Sequence, residues 1–247
     1  MRSTGAIAVA ALSTSLVVVA CGASSGEGSG PINPSPGNPA PLGAVKRGKA
    51  TFYDATGEGN CSFDASPKDL MVVAPNKQRH YAGSALCGAC LRVTGAKGAV
   101  VVRVVDSCPV DTPDNDCGDT GADLDLSAQA FAKIDDPDKG IVDVTFEVVA
   151  CEVAGPMSYK FKDGSSEFYT AIQVRNHRLP IAKVEFERDG AFVDMPREDD
   201  NFFVAQKGVG KVPAGLKLRI TASTGQVVTE TLPRVEDNKV VAGSAQL

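Results

Sequence analysis

Three short stretches of the 247-residue chain carry the residue types that could do chemistry: Thr51-Phe52-Tyr53-Asp54, Val104-Val105-Asp106-Ser107-Cys108-Pro109 and Asp123-Leu124-Asp125-Leu126-Ser127. In each, polar groups follow or interrupt an apolar run, so Asp106 and Asp125 could be presented from strand ends into one groove. Paired carboxylates so placed suit acid–base work, or they can accept hydrogen bonds from hydroxyl groups. Each also has a plain structural reading: Asp125 suits the start of a helix, where a negative charge meets the dipole, and Asp106 suits a turn. Other clusters are weaker. The Cys87-Gly88-Ala89-Cys90 spacing is that of a redox pair or half a zinc site, but no thioredoxin context, second CxxC or neighbouring His accompanies it. Asp111, Asp114, Asp116, Asp119 and Asp123 crowd one segment without the ordered spacing and closing glutamate of a calcium loop. His80 and His177 are isolated. Neither a metal nor a cofactor is expected.

The elements that would position these groups are mainly strands. Residues 99–105 form a β-branched run that reads as a strand buried on both faces, and Val142, Val144, Phe146 and Val148 alternate with polar residues as in a half-exposed strand. Between them Ser127 is a good N-cap for a helix over residues 128–134, with Ala130, Phe131 and Ile134 on one face, and no other segment reads as a helix. Beyond Cys151 the pattern is one of hairpins, with segments 182–187 and 191–195 flanking Asp189-Gly190, and 216–222 and 226–231 flanking Thr224-Gly225. Closely spaced strands without a helix or cysteine argue for a small β-sandwich, with the boundary near Ala154-Gly155-Pro156.

The N-terminal end reads as an export and anchoring device. Arg2, an apolar stretch to Ala20 and then Val18-Val19-Ala20-Cys21 resemble a lipoprotein signal peptide over residues 1–20, which would leave a lipidated Cys21 as the first mature residue. Residues 21–45 are rich in Gly, Ser and Pro and read as a tether. The seven cysteines less Cys21 leave six, Cys61, Cys87, Cys90, Cys108, Cys117 and Cys151, an even set that in an exported chain implies three disulfides. Six cysteines alone allow fifteen pairings. The net charge of −5, with no basic face, argues against nucleic acid.

Taken in order, Gly48-Lys49-Ala50-Thr51-Phe52-Tyr53, the Cys87/Cys90 pair, Val105-Asp106-Ser107-Cys108-Pro109 and Leu124-Asp125-Leu126-Ser127 resemble the expansin family. So does the run from Gly164-Ser165-Ser166-Glu167-Phe168-Tyr169 to Arg175-Asn176-His177, which is similar to the expansin carbohydrate-binding domain. The resemblance spans roughly residues 46–235. It implies a mainly β chain, with a six-stranded double-psi β-barrel related to family 45 glycoside hydrolases over residues 46–153 and an immunoglobulin-like β-sandwich that binds carbohydrate over residues 154–247.

The resemblance further implies groove residues Thr51, Tyr53, Asp106 and Asp125, a polysaccharide-binding strip of Lys162, Phe168 and Tyr169, and disulfides Cys61–Cys87, Cys90–Cys151 and Cys108–Cys117. Two departures stand out: Cys108 occupies a position where many bacterial expansins have a groove tyrosine, and Asp200 falls where a third binding aromatic is usual. Adjacent residues alternate sides in a regular strand, so Phe168 and Tyr169 also admit a core reading. Asp125 matches the general acid of the related hydrolases. Hydrolysis also needs a second carboxylate, and Asp54 lies one position short of that base.

The expected activity is therefore non-hydrolytic loosening of plant-type cell-wall polysaccharide (cellulose, xylan or another glucan). A weak endoglucanase and a peptidoglycan-acting envelope lipoprotein are the alternatives. A monomer is expected, exported and attached to the envelope or cell surface only by its lipid, or extracellular.

Overall fold

The computed structural model describes residues 1, 39–111, 116–119 and 121–247. The signal peptide, Cys21 and most of the tether lie outside the described residues, as does Asp114.

Six strands close into a barrel. They are β1 (Lys46–Tyr53), β2 (Val72–Pro75), β3 (Cys90–Gly95), β4 (Gly98–Val104), β5 (Leu124–Ser127) and β6 (Val142–Val149), in the order β1-β5-β2-β4-β3-β6. The β1–β5 and β2–β4 pairs are parallel and the others antiparallel, so the chain crosses over itself and does not simply meander. The alternation read for β6 holds: Val142, Val144 and Phe146 are buried with Leu91, Val93, Val102, Leu124 and Leu126 in one apolar core. The run at 99–105 is not buried on both faces. Val102 and Val104 point into the core, while Ala99 is exposed and Val101 and Arg103 are only partly covered. A closed barrel fills its interior from one face of each strand and leaves the other to whatever packs outside.

Helix α2 (Ala128–Ile134) follows β5 directly. Ser127 caps it by accepting a hydrogen bond from the Ala130 N–H through its hydroxyl, and Ala130, Phe131 and Ile134 join the barrel core. A short helix, α1 (Asp116–Asp119), and a 3-10 turn (Pro137–Lys139) add to it; segments this brief carry no helical periodicity to read.

The remaining strands form two sheets. One orders β10-β9-β12-β13, from β9 (Ile181–Arg188), β10 (Ala191–Met195), β12 (Leu216–Ala222) and β13 (Val227–Leu232). The other orders β11-β8-β7-β14, from β7 (Ser158–Phe161), β8 (Thr170–Arg175), β11 (Phe203–Ala205) and β14 (Val240–Ala242). Between them Tyr159, Phe161, Ile172, Val184, Phe186, Leu218 and Ile220 make a second core. The hairpin read at Asp189-Gly190 joins β9 to β10, and both residues have positive φ, 52° and 79°, which matches a tight turn to the strand twist.

Three disulfides, Cys61–Cys87, Cys90–Cys151 and Cys108–Cys117, all fall in the barrel and its margins. Among the described residues no helix is long and apolar enough to cross a membrane.

Candidate functional site

The parallel register of β1 and β5 sets Thr51 beside Asp125. The buried Thr51 hydroxyl donates to Asp125 Oδ1 at 2.9 Å, with the Leu124 carbonyl 3.4 Å away. Asp106 sits just beyond β4, and its Oδ1 accepts from the backbone N–H groups of Asn60 and Ser107, both at 2.7 Å. Gly59 makes that approach feasible, since a Cβ there would lie 2.3 Å from the Asp106 carboxyl carbon.

Tyr53 lies near enough to feel the charge of both carboxylates. Its ring packs with Ala74, Ala122 and the Cys108–Cys117 disulfide, and its hydroxyl is buried with no hydrogen-bond partner among the described residues. Burial foremost, then the charges of Asp106 and Asp125, push its phenol well above the usual range, so it is a neutral donor. Cys108 Sγ lies 3.8 Å from Asp125 Oδ2. A disulfide sulfur carries no proton, so this is a packing contact. Asp54 is exposed.

In the sandwich, Phe168 and Tyr169 lie in the loop between β7 and β8, before the strand alternation begins, and both are accessible. Phe168 is 75% exposed; Tyr169 is half-buried against Ala171, Phe202 and Val204. The loop is braced from below: the Gly210 N–H donates to the Glu167 carbonyl at 2.9 Å, and Gly208, with φ of 63°, lies so close to Glu167 that any side chain would collide with its carbonyl. Lys162 and Asp200, one expected in the strip and the other at its aromatic gap, bind each other at 2.5 Å, with the Lys162 ammonium 5.0 Å above the Phe202 ring. This pairing joins residues 38 apart in sequence, and no local spacing signals it.

A connection unread in the sequence runs from Asp106, a candidate groove residue, to the Lys162–Asp200 pair. The Asn60 amide donates to the Tyr81 hydroxyl at 2.7 Å and to the Asp199 carbonyl at 3.0 Å, and the Tyr81 hydroxyl donates to that same carbonyl at 2.6 Å. The residue after Asp199 is the Asp200 of the Lys162 pair. Around this bridge, Ser84 donates to the Glu198 carbonyl at 2.7 Å, Arg197 to the Ser84 carbonyl at 2.8 Å, and Gln173 to the Cys61 carbonyl at 2.6 Å. Burial lowers the Arg197 guanidinium to about 10, and it lies 4.4 Å over the Phe203 ring. His177 is wholly buried behind Gly88, and burial lowers it to about 4, so it is a neutral imidazole bonded to the Leu179 carbonyl at 2.8 Å. Barrel and sandwich fall within one compact unit. No group of three metal-ligating side chains is found among the described residues.

Known proteins resemble this arrangement. Residues 46–146 match the family described as lytic transglycolase. Expansin-YoaJ of Bacillus subtilis is 37% identical over 200 residues, covering 78% of this chain and 81% of that protein. Expansin-like protein 3 of Dictyostelium discoideum is 30% identical over 213 residues, covering 82% and 60%. The crystal structure of a mutant Clavibacter michiganensis expansin in complex with cellohexaose superposes with a TM-score of 0.72 at 28% identity, over 82% of this chain and 98% of that one. The apo form gives 0.70 at 30% identity.

Proposed function

The chain belongs to the expansin family, and from that membership we propose that it binds a glucan chain of a plant-type cell wall and loosens the wall without cutting it. On this reading the barrel occupies residues 46–153 and the binding sandwich residues 154–247. The observation that carries the proposal is the hydrogen-bonded path from Asp106 through Asn60 and Asp199 to the Lys162–Asp200 pair beside the exposed Phe168. It gives one chain a polar groove and an apolar platform to span. The complex of the Clavibacter relative with cellohexaose supports cellulose-like glucan as the ligand.

In this mechanism Asp106 and Asp125 accept hydrogen bonds from sugar hydroxyls, Tyr53 packs beneath them, and Phe168 and Tyr169 stack on the pyranose faces. Hydrogen bonds to the protein replace those between neighbouring glucan chains, and the bound chain detaches. Inverting hydrolysis would need a base across the glycosidic bond from Asp125, at about 6.5–9.5 Å. Asp54 directly follows Tyr53 and is exposed; we assign it no such role. The mature protein is read as exported and held at the envelope by lipid on Cys21, a reading supported by the lipobox and the odd cysteine count.

The test pairs mechanical creep of isolated plant walls with reducing-end release from amorphous cellulose. Creep without new reducing ends, lost in Asp125→Asn while cellulose binding persists, is the expected result. Reducing ends that accumulate with the wild type and vanish with Asp125→Asn would replace the proposal with an endoglucanase. Action on peptidoglycan is a second reading, favoured by the lytic transglycolase description of the matched family; clearing of purified sacculi by the wild type would establish it.

A further inference from the structure

Arg103 leaves the barrel in an unusual state. It lies on the outer side of β4, half-buried, and among the described residues its guanidinium has neither a hydrogen-bond nor an ion-pair partner. It borders a pocket of about 250 Å³ at the junction of barrel and sandwich, together with Phe63, Gly88, Arg175, Asn176 and His177. Arg175 is already committed to Asp64, the Ser62 carbonyl and the Gln173 amide oxygen. Buried His177 is neutral, and Arg103 is one of the charges that keep it so. Asp69, the other acid on the rim, is exposed and forms no ion pair among the described residues. Two arginines and two acids thus border the pocket, and of these the half-buried Arg103 and the exposed Asp69 are without an ion-pair partner among the described residues.

This pocket is separate from the groove and the strip. None of Thr51, Tyr53, Asp106, Asp125, Lys162, Phe168 or Tyr169 lines it. Arg175 closes β8 and Tyr169 precedes it, which sets them about 20 Å apart along the strand, with the Gln173–Cys61 contact between.

We propose that this junction pocket binds the carboxylate of an acidic sugar residue, with the planar fork of Arg103 pairing both carboxylate oxygens and Phe63 covering the apolar face of the ring. A guanidinium matches a carboxylate in two parallel hydrogen bonds, which a neutral hydroxyl cannot repeat. The volume lies below the usual range for drug-sized ligands, so it accepts one sugar residue and not an oligosaccharide lying flat. Gly88 lets His177 and Phe63 pack directly against the backbone at the pocket wall, since a Cβ there would lie 2.4 Å from His177 Nε2 and 3.1 Å from the Phe63 ring. The ligand class is a uronate, as a terminus or branch of an acidic wall polymer, and binding it adds a contact that bridges the two halves of the molecule.

The test is a titration of the full-length protein with digalacturonate, with cellobiose and with acetate, followed by calorimetry and by amide NMR. Saturable digalacturonate binding that shifts the Gly57, Gly88 and Asn176 amides, with no such shift from cellobiose, supports the site. Arg103→Gln should weaken it about tenfold or more, Arg103→Lys should restore only part, and both should retain wild-type binding to cellulose. Were either variant to unfold, the wild-type amide shifts still decide. No saturable binding, shifts confined to residues elsewhere, or full affinity in folded Arg103→Gln would overturn the proposal. Equal binding of acetate would reduce it to a site for any small carboxylate and overturn the sugar assignment.

Discussion

Replacing Phe168 by alanine should separate binding from folding more cleanly than any other change in the strip. The ring is 75% exposed and lies on a loop braced by backbone hydrogen bonds that do not involve its side chain. A phenylalanine carries roughly 200 Å² of accessible surface, so about 150 Å² is open here, and a pyranose stacked on one face would cover about half of that. At about 25 cal/mol per Å² the contact contributes about 2 kcal/mol. That corresponds to about a 30-fold weaker Kd for a glucan oligomer. Stability should stay within about 0.5 kcal/mol of the wild type, because no core contact is lost. Calorimetry with cellohexaose and depletion isotherms on amorphous cellulose measure the first quantity, and thermal unfolding measures the second. Loss of less than about threefold in affinity, with an unchanged melting temperature, would refute the platform assignment. Tyr169→Ala provides the contrast: its ring packs on Phe202, so it should lose stability together with affinity.

Three further outcomes follow from the geometry and the sequence. Asp200→Tyr should break the half-exposed pair with Lys162 at a cost of about 1 kcal/mol or less and increase retention on cellulose several-fold; Asp200→Asn should not, and equal gains in both would credit the freed Lys162 and not a new ring. His177 titrates near 4 in the folded protein against an ordinary 6.5. Between those values the unfolded chain takes up a proton that the folded chain refuses, so stability is fully present above about pH 6.5 and falls by up to about 3 kcal/mol toward pH 4. Urea unfolding at pH 7 and 4.5 should show the fall, and His177→Gln should flatten it; a slope unchanged in that variant would assign the effect to other groups. Intact mass of the membrane fraction should show acyl chains on a polypeptide beginning at Cys21, and an unmodified Cys21 would remove the anchor.

What could be read in the sequence was local. The alternation of β6, the Ser127 cap and the Asp189-Gly190 hairpin each depend on residues a few positions apart, and period and turn chemistry reveal them. The error at β4 has the same root: an apolar run cannot say which of its faces a closed barrel will use. The candidate groove residues Thr51 and Asp125 were conspicuous by type and position, but the bond between them needs the parallel pairing of strands 74 residues apart. Asn60, Tyr81, Arg197 and the Lys162–Asp200 pair were missed for the same reason. They are ordinary surface residue types in sequence and acquire meaning only where distant loops meet.

The bridge at Asp199 sets a rule for exchanging parts between such proteins. The turn at residues 197–201 belongs to the sandwich by sequence, yet its carbonyls and side chains are held by Asn60, Tyr81 and Ser84 of the barrel. A chimaera that grafts a foreign sandwich at residue 154 would bring a turn these three residues do not fit, leaving the Tyr81 hydroxyl without its acceptor and the Asn60 amide with only the Tyr81 oxygen inside the joint. Exchange should succeed where those barrel residues travel with the turn. The seam that matters for modular design runs through contacts in space, away from the point where the chain passes from one half to the other.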